Sequence, residues 1–488
     1  MNRPIKLIAF ICLLSAYNFS QILPEWVVTY NGLGTTLSLD KSHSIAVDHT
    51  GNVFVTGESY GAGNNLDYLT IKLNPSGDTL WTRRYNGTGD SSDVATDIAV
   101  DALGNSYVTG RSFGDNTNWD YATIKYNPAG DLEWVARFSG TSSIPGGFSQ
   151  DLARSIYVDD LGYSYVTGVS KIGVNTSDDI LTIKYNSSGA EEWVNRFNGP
   201  LSGADQAYSV DVDNLGNVYV CGYVDGAGGL GVRDYCTIKY NSSGVQEWLA
   251  RYNGLDNRDD EARIVGLDNL GNVYVTGIST SLTTYIDYLT IKYNSAGVEQ
   301  WTSRYSYSSL AKEDSPKDMV VDGAGNCYIT GMSKSDDNWA GFSTVKYNTS
   351  GTELWASRAD LFHSEYPYGI ALDNFGNVYV SGESHGDMYT VGYNSLGAEL
   401  GNSRFTNPGL SQEFVSDIVV DTSSTGSPKV YVSGSSQNQF QDENYVVLKY
   451  SSITGIDEKD PVSVKSFNLA QNYPNPFNPS TKISYTIP

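Results

Sequence analysis

The sequence predicts an all-β fold: a β-propeller of four-stranded antiparallel blades, eight of them, with the N-terminal strand completing the last blade. Three observations carry this prediction. A block of about 54 residues recurs eight times in the 488-residue chain. Each copy holds four short runs rich in Val, Ile, Tyr and Thr, residues that suit a pleated, half-buried surface. The two ends of the repeat are complementary parts of one copy.

The copies register at three landmarks. A Gly closes the GNVYVTG-type run at Gly57, Gly110, Gly168, Gly222, Gly277, Gly331, Gly382 and Gly434. The DYLTIKYN-type run opens at Asp67, Asp120, Asp179, Asp234, Asp287, Gly341, Asp387 and Asn444. A Trp follows at Trp26, Trp81, Trp134, Trp193, Trp248, Trp301 and Trp355, and Gly401 takes the eighth slot. Such a period means that one unit is stacked repeatedly, so function is to be sought where the copies differ.

The elements follow in order. Strand A, of IAVD type, ends at Asp48, Asp101, Asp159, Asp213, Asp268, Asp322, Asp373 and Asp421. Strand B is the NVYVTG run, strand C the DYLTIKYN run and strand D the EWVARYNG run. D-x-x-G-N joins A to B, and Asn-x-x-Gly joins C to D. Gly supplies the positive φ that such turns need, and Asp or Asn bonds its own backbone. These turn Asp residues lack the alternating carboxylates of an EF-hand loop. Four antiparallel strands per unit, repeated radially, make a propeller, which protects its many sheet edges. The first strand, 25–30, is of D type with no A, B or C before it; the last unit has A, B and C and no D. The N-terminal strand is therefore expected to latch the last blade.

The Trp residues are expected to pack between blades, where truncation to Ala costs roughly 3–5 kcal/mol. Asp67 and Arg84 lie 17 residues apart, and the same spacing recurs at Asp120/Arg137, Asp179/Arg196, Asp234/Arg251, Asp287/Arg304 and Asp387/Arg404. Around the C–D turn this predicts oppositely charged residues facing across two strands, a device for register.

Composition bounds the function. The chain has 31 Lys and Arg against 55 Asp and Glu, a net charge of −24. That excludes a nucleic-acid binder, which needs a basic face, and fits a soluble exported monomer. Residues 1–20 read as a signal peptide: Arg3 and Lys6 precede the apolar run Leu7–Leu14, too short to span a bilayer. The mature chain keeps Cys221, Cys236 and Cys327, an odd number. Cys221 and Cys236 sit on neighbouring strands, as a bridge or as two buried thiols.

The D-x-x-GNVYVTG run, followed by DYxTIKYN and Trp, resembles the bacterial β-propeller repeat family of "seven-bladed" type. The resemblance covers about residues 25–450 and implies an exported propeller without implying one activity. The count of eight departs from the family label. A second resemblance lies in FNLAQNYPNPFNPSTKISYTIP, residues 467–488, which looks like the start of a type IX secretion C-terminal sorting domain. It implies passage across the outer membrane of a Gram-negative bacterium by the type IX machinery, then release or surface attachment. The expected organisation is signal peptide 1–20, propeller 21–450, linker 451–466 and the truncated start of a sorting domain, 467–488.

Candidate site residues come from the variable loops. A–B and C–D turns share one face of the disc, and B–C and D–A loops share the other. The turns are short and uniform. The loops vary, from the very short 382–387 to the Gly-rich 222–234 and the long 140–151 with Ile144 and Pro145. Binding usually sits on variable loops of a rigid scaffold. Trp119 and Trp339 lie outside the repeat pattern in B–C loops, and Tyr60, Tyr285 and Phe440 occupy comparable loops. They would either stack on sugar rings and anchor a protein partner, or pack locally. An acid also stands eight residues before each strand-A terminal Asp: Asp40, Asp93, Asp151, Asp205, Asp260, Asp314, Glu365 and Glu413. Such a ring would either hold a calcium ion by oxygen ligands, or bond loop amides and nearby basic groups in every unit.

Three function classes compete. The first is an extracellular binding module for polysaccharide or protein. The second is a structural spacer of a larger surface protein, with no saturable ligand. The third is an enzyme: Gly77-x-x-x-Trp81 in eight units resembles pyrroloquinoline-quinone dehydrogenases, but the adjacent-cysteine pair of several of those enzymes is missing. With four His in the chain, no convergent catalytic set is legible, and no cofactor is expected.

Overall fold

Each repeat folds into one antiparallel meander in the computed structural model of the chain. The structure describes residues 22–451, apart from 33–38, 62–64, 116, 141–148, 173–176, 227–231, 255, 309, 311, 360–364, 408–411, 424–427 and 439–441. The segment 1–20 expected as a signal peptide, the region beyond 451, Phe440 and the loop residues Ile144 and Pro145 lie outside the described residues. The chain divides into two units, 1–453 and 454–488, and the described residues all lie in the first.

Thirty-two strands are present among the described residues. Their sheets run A-B-C-D in chain order, as in Asp40–Val47, Val53–Tyr60, Leu66–Leu73 and Thr79–Tyr85. Six sheets have four strands, and the fifth and sixth repeats share an eight-stranded one. That link is a short parallel pairing, Tyr285 with Lys312 and Ile286 with Glu313. Trp26–Tyr30 pairs antiparallel with Glu443–Tyr450, the C strand of the last repeat, in the D position. Strand A of each repeat packs on strand A of the next, and Gln412–Asp421 of the last packs on Asp40–Val47 of the first.

The turns follow their sequence. Asp213 Oδ1 accepts the amides of Leu215 and Asn217, each at 2.9 Å, and Gly216 sits at φ 76°. Asn217 Nδ2 and the Tyr219 hydroxyl donate to the other oxygen at 2.8 and 3.1 Å, so this turn consumes its own carboxylate. The core is a set of separate clusters between successive sheets. One joins Val218, Val220 and Ile238 to Tyr165 and Ile180 of the preceding repeat. Another joins Ile45, Val53 and Ile71 of the first repeat to Tyr431 and Tyr445 of the last.

The Trp residues sit in these clefts. Trp248 Nε1 donates to the Ser295 carbonyl at 3.2 Å, in the C–D turn of the following repeat, and its ring lies under Gly297. Trp26, Trp81, Trp134, Trp193, Trp301 and Trp355 make the same bond to Pro75, Pro128, Ser187, Ser242, Thr349 and Ser395. A Lys of strand C, registered opposite the Trp, donates to the same carbonyl: Lys239 reaches Ser295 at 3.1 Å and Lys449 reaches Pro75 at 2.8 Å. The Lys stems cover apolar surface while their ammonium groups lie over Tyr rings, Lys239 at 5.4 Å from the centre of Tyr219.

Two expectations are refined. The Asp/Arg pairs form, at 2.7 Å for Asp234/Arg251, but not face to face: Arg251 stands opposite Cys236, and the contact is diagonal. Cys221 and Cys236 are buried free thiols. Cys236 stands opposite Gly222, so the two thiols lie on opposite faces of the sheet and in different core clusters.

Candidate functional site

The eight acids that open strand A are all buried, at no more than 1% exposure, and each has loop amides or hydroxyls around it. Asp93 accepts the amide of Gly87 at 2.6 Å and of Phe113 at 3.0 Å. Asp40, Asp151, Asp205 and Asp260 accept the amides of Gly32, Gly140, Gly199 and Gly254, and Asp314 that of Tyr307. Glu413 accepts the Asn407 amide at 3.2 Å, and Glu365 the Ser384 hydroxyl at 3.1 Å. In most units the strand-B Ser beside the acid also accepts from the strand-D Arg, whose other donors reach the strand-C Asp. In the fifth repeat Asp260, Ser279, Arg304 and Asp287 form this chain across all four strands. Burial pushes Asp151, Asp205 and Asp314 up to about 6, and Glu413 up to about 7. The acids thus tie each D–A loop to its own sheet. They do not converge, and among the described residues no three His, Cys, Asp or Glu side chains are grouped to hold a metal ion.

The nominated aromatics divide. Trp119 packs at home: its ring meets Phe113 edge-on at 5.7 Å, and the Arg111 guanidinium covers it at 4.6 Å. Tyr60 ends strand B of the first repeat, opposite Leu66 and half-buried. Tyr285 and Trp339 are 50% and 45% exposed, and a chain of contacts brings them into one neighbourhood. Tyr285, held at φ 75°, pairs by backbone with Lys312. The Lys312 ammonium donates to Asn338 Oδ1 at 2.6 Å, next to Trp339. Arg358 donates to the Trp339 carbonyl at 3.0 Å, and its guanidinium lies 4.4 Å from the ring centre of Tyr307. Lys334 bonds Glu313 at 2.6 Å, which raises its pKa; Tyr366 and Tyr285 are near enough to add to that rise. The result is an aromatic patch, Tyr285, Tyr307, Trp339 and Tyr366, threaded with Lys312, Lys334 and Arg358, on a strongly acidic protein.

Sequence spacing did not mark the basic members or Tyr307 and Tyr366. One signal was present. The Asp that pairs with the strand-D Arg elsewhere is Gly341 in the sixth repeat, and a Cβ there would lie 2.8 Å from Arg358. The small residue admits the guanidinium to the loop side, where it bonds Trp339 and covers Tyr307.

At the inner edge, strand A carries a bulge in every repeat, such as between Ala95 and Asp97. In six repeats the side chain after it bonds across to the next A strand. Asp97 accepts the Ile156 amide at 2.9 Å, Asp318 that of Ile370 at 2.9 Å and Asp417 that of Ile45 at 3.1 Å. Ser44 donates to both Asp97 and Asp417, at 2.9 and 3.2 Å. Burial pushes Asp97 and Asp318 up to about 6 and Asp417 up to about 7, the last also by the nearby charges of Asp318 and Asp97.

These strands, turns and packed Trp clefts define an all-β repeat protein of propeller type. Residues 28–66, 80–116 and 364–389 match the family model described as a beta-propeller repeat, which supports placing the chain with that repeat family. An uncharacterized WD repeat-containing protein, L264, of Acanthamoeba polyphaga mimivirus is 23% identical over 443 residues; the match takes in 65% of this chain and 31% of the relative, so the chain spans about a third of that protein's length. Among solved structures, Sqt1 from Chaetomium thermophilum superposes with a TM-score of 0.51 at 10% identity, over 87% of this chain and 99% of the other, which shows a shared fold. A glucose dehydrogenase superposes at a TM-score of only 0.33, with 9% identity over 57% of this chain and 95% of the other, too low to bear on fold or activity.

Proposed function

We propose that this protein is an exported binding module whose loop face engages polysaccharide through the Tyr285–Trp339 patch. A β-propeller repeat fold serves interaction in general, and the exposed rings carry the specific reading. Flat aromatic faces stack on sugar rings, and Lys312, Lys334 and Arg358 suit a polymer with acidic groups. A protein partner anchored on the same rings is the second reading, favoured by the exposed Leu282 and Leu310 nearby in sequence.

The scaffold is an eight-bladed ring closed by the N-terminal strand. Its support is that the last-to-first contact repeats the others: Trp26 and Lys449 on Pro75, Asp417 on Ile45, and a bridge of Leu39 with Glu443 in the manner of Tyr285 with Lys312. The leader 1–20 would export the chain, and the type IX resemblance at 467–488 would carry it to the surface of a Gram-negative bacterium.

The test is an array of neutral and acidic polysaccharides, and of envelope proteins, probed with the purified mature chain. Saturable binding to an acidic polysaccharide, lost in Trp339→Ala and Tyr285→Ala, is the expected result. Protein hits alone would replace the sugar reading. A blank array from folded protein would leave a spacer.

A further inference from the structure

Six residues after its opening acid, strand A holds a small or β-branched residue in most repeats: Ala46, Ala99, Val320, Ala371 and Val419. Two consecutive repeats depart, with Tyr157 and Asp211, and the repeat after them has Gly266. They lie toward the A–B turn face, opposite the aromatic patch. A cavity of about 470 Å³ opens there, walled by Tyr157, Asp211 and Leu267 and by the turns that carry Leu215 and Leu270. A second, of about 380 Å³, adjoins it across Tyr157 and Leu215, with Leu161 on its wall. Both fall within the size of small-ligand sites. Leu161, Leu215 and Leu270 are 76–84% exposed and stand in the third place of three successive A–B turns.

We propose that the larger cavity is a binding site for a protonated amine or guanidinium group carried on an apolar chain, with Asp211 as its counter-ion. Asp211 is held by the Val212 amide at 2.8 Å and by the Leu267 amide, which fix its direction. A carboxylate has about four acceptor positions, so acceptor capacity remains. Its setting is otherwise costly for a charge, since burial pushes it up to about 7. A cation within reach would repay that cost. The other charges on the wall do not compete. Asp268 is used by its own turn, through Leu270, Asn272 and Tyr274, and Asp213 by its equivalent. Lys239 is committed to the Ser295 carbonyl and Glu247. Tyr157, an aromatic on the same wall, suits an alkylammonium, and the rim leucines would cover the apolar chain. The site thus unites residues that break the repeat and meet in one place, independently of the loop face.

Two probes separate the sources of such a group. Spermidine represents a free polyamine, and a short capped peptide of alternating Leu and Lys represents a protein segment. Calorimetric titration of the full chain should show one saturable site for at least one probe, with a capped Leu and Glu peptide not binding. Asp211→Ala, which installs the residue found at this register in three other repeats, should weaken the binding at least tenfold. Asp211→Asn, which keeps the shape, should do the same, and Trp339→Ala should leave it unchanged. Response to spermidine alone assigns a small amine, and response to the peptide assigns a protein partner. Absence of saturable binding by both probes overturns the proposal. So does binding that the Asp211 variants retain, because it would then reflect only the acidic surface.

Discussion

The two faces of the molecule solve the same problem in opposite ways. On the turn face, every repeat but the seventh, where Gly392 and Gly401 replace the Lys and Trp, reaches into its neighbour: a Trp and a Lys grip one carbonyl of the neighbouring C–D turn. On the loop face, most repeats look mainly to themselves: an acid, a Ser, an Arg and a second acid link the four strands of one repeat. The first device joins blades and so depends on a like turn in each gripped repeat. The second frees the loops above it to vary, and the aromatic patch has grown there.

The strongest way to break this comparison is to cut the turn-face grip. Trp248→Ala removes a half-buried ring and the bond to Ser295. It should cost about 3 kcal/mol, with Lys239 still holding the carbonyl. Denaturant unfolding measures this, and an unchanged midpoint would show that the clefts do not join the blades.

Loop-face cuts should be felt within one repeat. Asp260→Ala strips the Gly254 amide of its acceptor, bonded at 2.6 Å, and also removes the partner of Ser279. The expected cost is about 2 kcal/mol, since buried donors are left unmade. Hydrogen exchange should rise at Gly254 and its loop and stay level in the next repeat. Exchange spreading to neighbouring repeats would erase the distinction between the faces.

Acidity sharpens the contrast further. Burial holds Asp97, Asp151, Asp205, Asp314 and Asp318 up at about 6 and Asp417 and Glu413 at about 7, above an unfolded carboxylate near 4. Between these limits the folded chain holds more protons than the unfolded one, so stability falls as pH rises from about 4 to 7. On the turn face, burial also works against the charge of Asp48, but bonds from Thr50 and Asn52 outweigh it and lower its pKa. Its contribution is present above the unfolded pKa and fades only in stronger acid. Thermal melts should therefore show Tm rising from pH 8 to pH 5, with a shallower rise in Asp97→Asn and Asp417→Asn. A Tm that falls over this range would mean that these acids are ionised in the native state.

The difference between the faces also explains what the sequence made legible. The strands, their order, both turn types and the Trp positions recur in nearly every copy, so the spacing reveals them. The Lys half of the grip is hidden because a Lys in a strand reads as a solvent-facing residue. The strand-A bulges of the second and eighth repeats insert one residue with no Gly or Pro in strand A to mark it, so Asp97 and Asp417 look like ordinary strand positions. The diagonal Asp/Arg contact depends on register at the C–D turn, where one residue is bulged out. For the site, Trp339 and Tyr285 were visible as breaks in the pattern. Arg358 was not, because its own position conforms and only its missing neighbour, the Asp replaced by Gly341, departs. Asp211 escapes a search confined to loops, since it sits inside a strand.

The smallest expected effect on stability is at Trp339 itself, and it discriminates well for that reason. The ring is 45% exposed, and its backbone bonds the loop: the carbonyl accepts from the Ser335 amide and Arg358, and the amide donates to the Ser335 hydroxyl. Trp339→Ala keeps all of them. With the ring 45% exposed, stability should fall by no more than about 1 kcal/mol, less than for the half-buried Trp248. A large loss of stability would therefore count against the loop-face site, because the ring would then be a local prop, as Trp119 is beneath Arg111. An unchanged melt together with lost polysaccharide binding would separate the two Trp residues that depart from the repeat, one serving the fold and the other the ligand.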